Sequence, residues 1–303
     1  MKALPTAAEP VRWPLEAIWQ AIEPTLPGFT VELLPEIDST NSELMRRFHS
    51  GTGSGDTPEP LLLVAEQQTA GRGRLGRQWQ SRRGASLMFS IGLPLAPADW
   101  SGLSLAVGVS LADSLEPLQP GQHVSSPAAA GVPGIGLKWP NDLWLTGAPL
   151  PRKLGGVLVE TASHAGQRFV VIGVGINIEP VNGLPTFHTD NSGPGSITPG
   201  CLKELQAAST ASDTLLTLVP PLVQAVQAFA AFGFAPFQAR FARRDVLNGL
   251  PVQLSGGDAA MAGTACGVAE NGALLVHTST GMKEITSSEV SVRPRGLARG
   301  AAL

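Results

Sequence analysis

The chain has 303 residues, of which 43% are hydrophobic and 15% are charged, and its formal net charge is -3. This length can bury the core of one sizeable domain and a small one, and the composition excludes a largely disordered chain. The slightly acidic balance argues against a general affinity for DNA or for an anionic membrane, although a local basic patch is compatible with it.

The cysteines, the histidines and the distribution of apolar residues further narrow the class of protein. Cys201 and Cys266 are far apart and form no CxxC pair, so we expect no disulfide framework and a cytoplasmic location. The N-terminus lacks the long apolar segment of a signal peptide, and no run of about 18 apolar residues predicts a transmembrane helix. The five histidines are scattered, so we expect no zinc site.

The first half of the chain predicts alternating strands, helices and loops. Residues 1–30 form an N-terminal extension whose single short helix, 14–22, is too short for a winged-helix DNA-binding domain. Thr40 and Glu43 fit a capping box, which predicts a helix over 42–48. The other elements predicted here are strands at 31–37, 61–66 and 86–93 and an apolar helix at 102–118.

In the second half the predicted secondary structure changes near residue 247, from strands mixed with helices to short strands alone. Before it we expect a hairpin pair at 136–145 and 153–161, a strand at 169–178, and helices at 211–232 and 236–245, the first kinked at Pro220-Pro221. After it, short strands at 252–255, 260–270, 273–278 and 283–286 indicate a small all-β barrel. The insertions near 120–135 and 182–199 suggest no role.

The loop at 67–84 holds five arginines and no acidic residue, and three glycines interleave with the arginines over 71–77. Glycine lets backbone N–H groups approach an anion, and the arginine guanidinium binds phosphate or carboxylate with two parallel hydrogen bonds. No Gly-Lys-Ser/Thr follows, so this is not a Walker A loop. A solvated basic loop or an RNA-binding patch is the alternative interpretation.

Three further segments combine charge, glycine and turn residues. Lys-Trp-Pro-Asn-Asp at 138–142 could place Asp142 beside a cationic site, although Pro-Asn-Asp is also common in plain turns. Arg-Lys-Leu-Gly-Gly at 152–156 could use Lys153 to neutralise a carboxylate under activation, or could be a strand entry with a bulge. Gly-Val-Gly-Ile-Asn at 173–177 leaves room for a flat ligand, or simply for close packing, and Asn177 at its end needs a partner.

The order of these segments carries more information than any one of them. Asp-Ser-Thr-Asn at 38–41, the glycine-arginine loop with Trp79, and the segments at 138–142, 152–156 and 173–177 closely resemble the biotin protein ligases over about residues 31–290. The resemblance implies an α+β fold. It consists of a class II aminoacyl-tRNA synthetase/biotin protein ligase-like mixed sheet with flanking helices over 31–247 and a small SH3-like β-barrel over 248–303.

The resemblance also implies a two-step reaction. The carboxylate of biotin attacks the α-phosphate of ATP, with Mg²⁺ as the companion of the nucleotide, and gives biotinyl-5'-AMP and pyrophosphate. A lysine amine of a biotin carrier domain, of the acetyl-CoA carboxylase type, then attacks this mixed anhydride. We expect no covalent enzyme nucleophile and no tightly bound metal.

Site residues follow from the resemblance position by position. Ser39, Thr40 and Asn41 match residues that hold the biotin head group. The matches to biotin and adenylate contacts are Gln68, Arg72, Gly73, Arg74, Trp79, Lys153 and Gly156. Around the phosphate, metal and adenine region the matches are Lys138, Asn141, Asp142 and Asn177. The catalytic roles fall to Arg72, Arg74, Asp142 and Lys153, which can stabilise the charge that develops on phosphorus.

Two rival functions stay open on the sequence. A lipoate or octanoyl ligase would share the fold, but the Lys-Trp-Pro-Asn-Asp and glycine-arginine segments argue against it. A biotin-sensing regulator or nucleic-acid binder would explain the basic loop without Lys153. Because only about 30 residues precede the catalytic strand, we predict no DNA binding, and we expect a monomer or a weak homodimer.

Overall fold

Two β-sheets, one of seven strands and one of five, organise the described part of the chain. The computed structural model describes residues 11–50, 58–124, 133–148, 152–180, 199–255, 261–286 and 291–294. The helices are α1 Leu15–Ile22, α2 Thr40–Ser50, α3 Leu103–Leu115, α4 Ala211–Phe232 and α5 Ala235–Ala242. The first-sheet strands are β1 Thr30–Leu34, β2 Leu61–Ala65, β3 Ser86–Pro94, β4 Ile135–Lys138, β5 Asp142–Leu145, β6 Arg152–His164 and β7 Gln167–Asn177.

The seven-stranded sheet has the order β1-β2-β3-β7-β6-β5-β4, and its one parallel pair is β1 with β2. Its central strands are apolar on both faces because helices cover both. Leu62 and Val64 of β2 point into the large core beneath α3 and α4, whereas Leu63 between them joins a smaller cluster under α2. Phe48 of α2 stacks on Phe169 of β7 there, with ring centroids 4.9 Å apart. The mixed sheet with flanking helices confirms the predicted fold class.

Helix α4 is long and apolar enough, by length and composition, to cross a membrane. It has a different explanation in this fold. Leu215, Leu218, Leu222 and Val226 recur at helical spacing and are buried in the large core against α3. Nine of its 22 residues are buried, so the apolar composition reflects the packing of one face of the helix in the core.

The start of α2 differs from the prediction. The predicted capping box of Thr40 and Glu43 is wrong, because Ser39 caps the helix and its Oγ accepts the backbone N–H of Ser42 at 3.3 Å. Glu43 instead pairs with Arg46 and Arg47 along the same helix face. The preceding strand also ends earlier than predicted, at Leu34, which leaves residues 35–39 free to turn towards the loop at 67–84.

The segment at 136–145 is two strands rather than one. A turn with a cis peptide between Trp139 and Pro140 separates β4 from β5, and β5 then pairs with β6 as predicted. Helix α5 ends at Ala242, not at 245, because the chain extends along the edge of β4: Leu137 N–H donates to Arg244 O at 2.7 Å and Val246 N–H to Leu137 O at 3.1 Å.

The chain then enters the second sheet, which is antiparallel throughout, with the order β11-β10-β9-β8-β12. Its strands are β8 Pro251–Ser255, β9 Met261–Val268, β10 Leu274–Thr278, β11 Gly281–Ile285 and β12 Ser291–Pro294. The predicted boundary near residue 247 stays a prediction. Of the insertions near 120–135 and 182–199, residues 125–132 and 182–198 lie outside the described residues.

Candidate active site

The predicted head-group residues are buried where α2 begins. Ser39, Thr40 and Asn41 are each 2–3% exposed. The loop at 67–84 lies beside them, since Thr69 N–H donates to Ile37 O and Ala70 N–H to Asp38 O, both at 2.9 Å. These backbone hydrogen bonds attach the start of the glycine-arginine loop to the turn that carries the pocket residues.

Side chains complete this attachment. Gln68 Oε1 accepts the backbone N–H of Thr40 at 2.7 Å and lies 3.1 Å from the Thr40 hydroxyl. Ser90 Oγ, on β3, lies 2.7 Å from Thr40 Oγ1 and 2.6 Å from Asn41 Oδ1. Asn41 Nδ2 donates to Glu160 Oε2 at 2.9 Å. The Asn41 amide is therefore occupied by protein groups at both its oxygen and its nitrogen.

Two glycines of β7 make room for this arrangement. A Cβ on Gly173 would lie 2.2 Å from Asn41 Oδ1, and a Cβ on Gly175 would lie 2.5 Å from the indole of Trp79. The Gly-x-Gly pattern therefore leaves space for Asn41 and Trp79 to pack against the sheet. Gly71 is under the same constraint, since a Cβ there would lie 2.5 Å from Trp79 O.

The arginines of the loop divide between two ends of the site. Arg72 pairs with Glu160 at 3.0 Å, next to the pocket residues. Arg74 begins a 3-10 turn, Arg74–Gly76, which is closed by the Arg77 N–H donating to Arg74 O at 3.2 Å and flanked by the Gly73 N–H donating to Arg77 O at 2.7 Å. Burial and the charge of Arg77 lower the pKa of Arg74, while Asp142 opposes them. Arg74 and Arg77 thus belong to the opposite, cationic end.

That end is centred on Asp142, the first residue of β5. Asp142 Oδ1 lies 2.7 Å from Lys153 Nζ, and Oδ2 lies 3.9 Å from Lys138 Nζ. Burial disfavours the charged carboxylate, but Lys153 and Lys138 outweigh this and hold the pKa of Asp142 below its usual value. Asp142 therefore stays ionised and holds the two ammonium groups in place.

Trp79 joins the two ends. Its backbone N–H donates to Gly71 O at 2.8 Å, and Lys153 Nζ lies 5.9 Å from its ring centroid. The indole covers Gly175 in the centre of the sheet. An aromatic surface beside a row of cations suits a flat or apolar group that carries an anion.

The remaining predicted residues line the β5–β7 side. Asn141 Nδ2 donates to Val157 O at 2.8 Å, which fixes the turn before Asp142. Gly156 pairs with Asp142 across the two strands, and a Cβ there would lie 3.4 Å from Lys153 Nζ. Asn141 thus holds the backbone of the turn, and Gly156 keeps the space beside the lysine open.

Asn177 ends β7 and is 1% exposed. Its Nδ2 donates to Gly200 O at 3.1 Å and to Lys153 O at 3.3 Å, but its buried Oδ1 has no partner among the described residues. Ser86 lies opposite it on β3, and the Ser86 Oγ is also buried without a partner in the described part of the chain. Because buried polar groups are almost always paired, these two atoms mark a polar position inside the sheet between β3 and β7.

Sequence reasoning missed Ser90, Glu160 and Arg77. Ser90 stands in the apolar strand β3 and is fully buried, so a polar residue in an apolar run was the signal. Glu160 is the acidic residue of β6, and no local pattern tells which arginine it meets. Arg77 lies in the predicted loop, but its effect on Lys138 and Asp142 depends on the fold of that loop.

The donor set does not fit a resident metal. The described residues contain no group of three or more histidine, cysteine, aspartate or glutamate side chains that could hold a metal ion. Asp142 is already engaged by two lysines. The arrangement is instead cationic, which suits an anionic ligand.

Two family models match the chain. The model of the biotin/lipoate A/B protein ligase family matches residues 33–177, and that of the biotin protein ligase C terminal domain matches residues 249–293. The first range contains all of the predicted site residues, and the second lies in the small antiparallel sheet.

Individual relatives agree. The chain is 34% identical to the bifunctional ligase/repressor BirA of Escherichia coli (strain K12) over 271 residues, which cover 88% of this chain and 75% of that protein. It is 29% identical to the biotin–[acetyl-CoA-carboxylase] ligase of Paracoccus denitrificans, over 85% of this chain and 98% of that protein. The biotin protein ligase of Aquifex aeolicus, solved with biotin and ATP, superposes with a TM-score of 0.64 at 27% identity, covering 87% and 98% of the two chains.

Proposed function

The chain belongs to the biotin protein ligase family, and from this we propose that it activates biotin with ATP and transfers the biotinyl group to a lysine of a biotin carrier domain. The observation that carries the proposal is a cationic cluster of Lys138 and Lys153 around Asp142, next to a buried polar pocket. The cationic cluster suits a charged phosphate, and the buried polar pocket suits a polar head group.

In the first step the carboxylate of biotin attacks the α-phosphorus of ATP, and pyrophosphate leaves. Negative charge grows on the non-bridging oxygens of phosphorus during this attack. Arg74, Lys138 and Lys153 are the groups held near the reacting atoms, and Asp142 fixes the two lysines so that they need not reorganise. Fixed cations in a partly dry site are the most effective way to stabilise such charge.

Biotin itself would lie between the two ends. Its ureido group meets the pocket of Ser39, Thr40 and Gln68, and its apolar rings and chain run past Trp79 towards Lys153. A mostly apolar site with a few placed polar groups is typical of small-ligand recognition. The cations Arg74 and Lys138 beside Asp142 support the phosphates of a nucleotide at the Lys153 end. Mg²⁺ enters as the companion of the ATP phosphates.

In the second step the carrier lysine attacks the biotinyl carbonyl and AMP leaves. No enzyme nucleophile is needed, so the chain contributes positioning and exclusion of water. The attachment of the loop at 67–84 to the pocket, at Gln68 and Arg72, supports a role of this loop in covering the anhydride. We propose a cytoplasmic monomer or weak dimer that serves a carboxylase carrier domain and binds neither nucleic acid nor membrane.

A lipoate ligase is the second candidate, because the first family model covers both vitamins. The match of residues 249–293 to the biotin protein ligase C terminal domain favours biotin. To separate the two, the protein is incubated with ATP, Mg²⁺ and either biotin or lipoate, and the acyl adenylates are measured by mass spectrometry. We expect biotinyl-5'-AMP, and an adenylate with lipoate but none with biotin would overturn the proposal.

A further inference from the structure

Six side chains form a closed series of contacts that begins and ends on the same loop. They come from the loop at 67–84, from α2, from β3 and from β6. In order, the series runs Gln68, Thr40, Ser90, Asn41, Glu160 and Arg72. We call this series the pocket ring. It joins the turn proposed to hold the biotin head group to both sides of Gly71.

The charge of Glu160 sets the direction of the hydrogen bonds in the pocket ring. A carboxylate only accepts, so Asn41 must face it with its Nδ2, which lies 2.9 Å away. The Asn41 Oδ1 then faces Ser90 Oγ at 2.6 Å and must receive the serine proton. Ser90 has a single proton, so its contact with Thr40 uses the threonine hydroxyl as donor.

The Gln68 amide, at the end of the series, is held by the backbone of Thr40. With the Thr40 hydroxyl turned to Ser90, the backbone N–H of Thr40 remains to hold Gln68 Oε1 at 2.7 Å. The Gln68 Nε2 is left on the side of Gly71, 3.0 Å from where a Cβ on that glycine would lie. Because a backbone N–H can only donate, it fixes the orientation of the Gln68 amide independently of Glu160.

Glu160 is suited to this task as a carboxylate and not as an amide. Its Oε2 faces Asn41 Nδ2 at 2.9 Å, and its Oε1 faces the Arg72 guanidinium at 3.0 Å. Both oxygens thus face donors, and a glutamine would turn an NH₂ group against one of them. Two donor groups would then face each other, and this would break the pocket ring at Asn41 or at Arg72.

We propose that Glu160 and Ser90 are positioning residues for biotin recognition, which fix the amide of Asn41 and hold Arg72 beside the pocket. The proposal rests on the proposed function, since the ligand of this pocket is biotin. Neither residue needs to touch the reacting atoms. Their loss therefore weakens biotin binding and leaves the handling of ATP almost intact.

The test uses the full-length protein with Glu160→Gln and Ser90→Ala. Biotin affinity is measured by calorimetry without ATP, and the KM values for biotin and for ATP are measured in adenylate formation. We expect the biotin Kd and KM to rise about tenfold or more, and the ATP KM to change less than about twofold. The double variant should lose less than the product of the two single losses, because both changes break one ring.

Two matched variants control for general damage. Glu32→Gln removes an acid that pairs with Arg47 of α2 at 2.6 Å outside the pocket ring, and Thr146→Val removes a buried hydroxyl at the end of β5. Both should keep the biotin Kd even where they lower the melting temperature.

Unchanged biotin affinity in Glu160→Gln and Ser90→Ala, with biotin binding intact in the unmodified protein, would overturn this inference alone. A parallel loss of biotin and ATP affinity would also overturn it, because it would indicate general disruption. A failure of the unmodified protein to bind biotin would refute the proposed function together with the inference.

Discussion

Lys138 is a buried lysine that lies between a carboxylate and an aromatic ring. Its side chain is 9% exposed, and its Nζ lies 3.9 Å from Asp142 Oδ2 and 5.4 Å from the ring centroid of Trp144. Burial, with help from neighbouring cations and against the attraction of Asp142, lowers its pKa to about 8. Its ammonium form therefore predominates at neutral pH and is lost as the pH rises through 8.

This shift predicts a limb in the pH dependence of adenylation. The rate in the unmodified protein should fall above about pH 8, because neutral Lys138 no longer stabilises charge on the phosphate. In Lys138→Arg the guanidinium keeps its charge, so the limb should move to higher pH even where the maximal rate is lower. The check is the pH profile of kcat/KM for ATP in biotinyl-5'-AMP formation, which reports groups of the free enzyme, and an identical limb in both proteins would contradict this role.

Gly173 offers a second test at the scale of one residue. Gly173→Ala places a methyl group 2.2 Å from Asn41 Oδ1, so Asn41 must move and the pocket must distort. We expect biotin affinity to fall about tenfold or more, by the cost of lost buried hydrogen bonds. Gly108→Ala is the control, because its Cβ would lie 3.4 Å from Leu137 in ordinary contact. Equal biotin affinity in the two variants would argue against the close approach.

Among the elements, the loop at 67–84 has distinct anchored and covering parts. Arg72 is fixed to Glu160, whereas the turn Arg74–Gly76 carries Leu75 outward with its side chain 53% exposed and a φ of 57°. Left-handed backbone at a non-glycine residue costs about 1 kcal/mol or more. The turn is therefore the part of the loop whose conformation depends most on what lies beneath it.

Arg74→Gly should loosen the hold on the adenylate. The variant removes a cation from the phosphate end and adds backbone freedom, so we expect faster escape of biotinyl-5'-AMP into solution. Arg82→Ala, at an exposed position of the same loop, is the control and should retain the adenylate. Release is measured by rapid filtration after single-turnover synthesis, and equal retention in both variants would remove Arg74 from this role.

The connection to the second sheet carries a separate, pH-dependent cost. Burial raises the pKa of Asp245 to about 6, although its Oδ1 accepts the N–H of Leu247 at 2.9 Å. A carboxyl whose folded pKa exceeds the unfolded value of 3.8 binds more protons in the folded state. Its contribution to stability is complete below pH 4 and is lost as the pH rises through 6.

Asp245→Asn should therefore stabilise the protein at pH 8, by about 3 kcal/mol, and have little effect at pH 4. The asparagine oxygen can still accept from Leu247 while the charge is gone. Urea unfolding at the two pH values measures the difference. A stabilisation that is the same at both values would mean that the charge of Asp245 is not its cause.

At the scale of the whole molecule, the second sheet is attached to the active-site turn. The Trp139 indole N–H donates to Gly272 O at 3.1 Å, and Trp139 follows Lys138 directly. A Cβ on Gly272 would lie 2.7 Å from Gly102 Cα, so the turn at 269–273 fits closely against the start of α3. The two sheets also share one continuous core.

The sequence predicted the fold class and nearly every strand, because apolar runs in a covered sheet are unmistakable. Lys153 and Asp142 were expected near the reacting atoms, and the structure places them 2.7 Å apart. The pairing of Glu160 with Asn41 could not be predicted, because it joins residues 119 positions apart across the sheet. The predicted end of α5 was wrong for the same reason. The helix ends early because the chain after it is hydrogen-bonded to β4.

The most direct test of the central claim is transfer to the carrier. The protein is incubated with ATP, Mg²⁺, biotin and a biotin carrier domain, and the intact mass of the carrier domain is followed, with a carrier whose acceptor lysine is replaced by arginine as control. We expect the carrier domain to gain one biotinyl group on that lysine, and we expect no such gain with Lys153→Ala. A carrier domain that stays unmodified while the enzyme is folded and saturated with both substrates would contradict it.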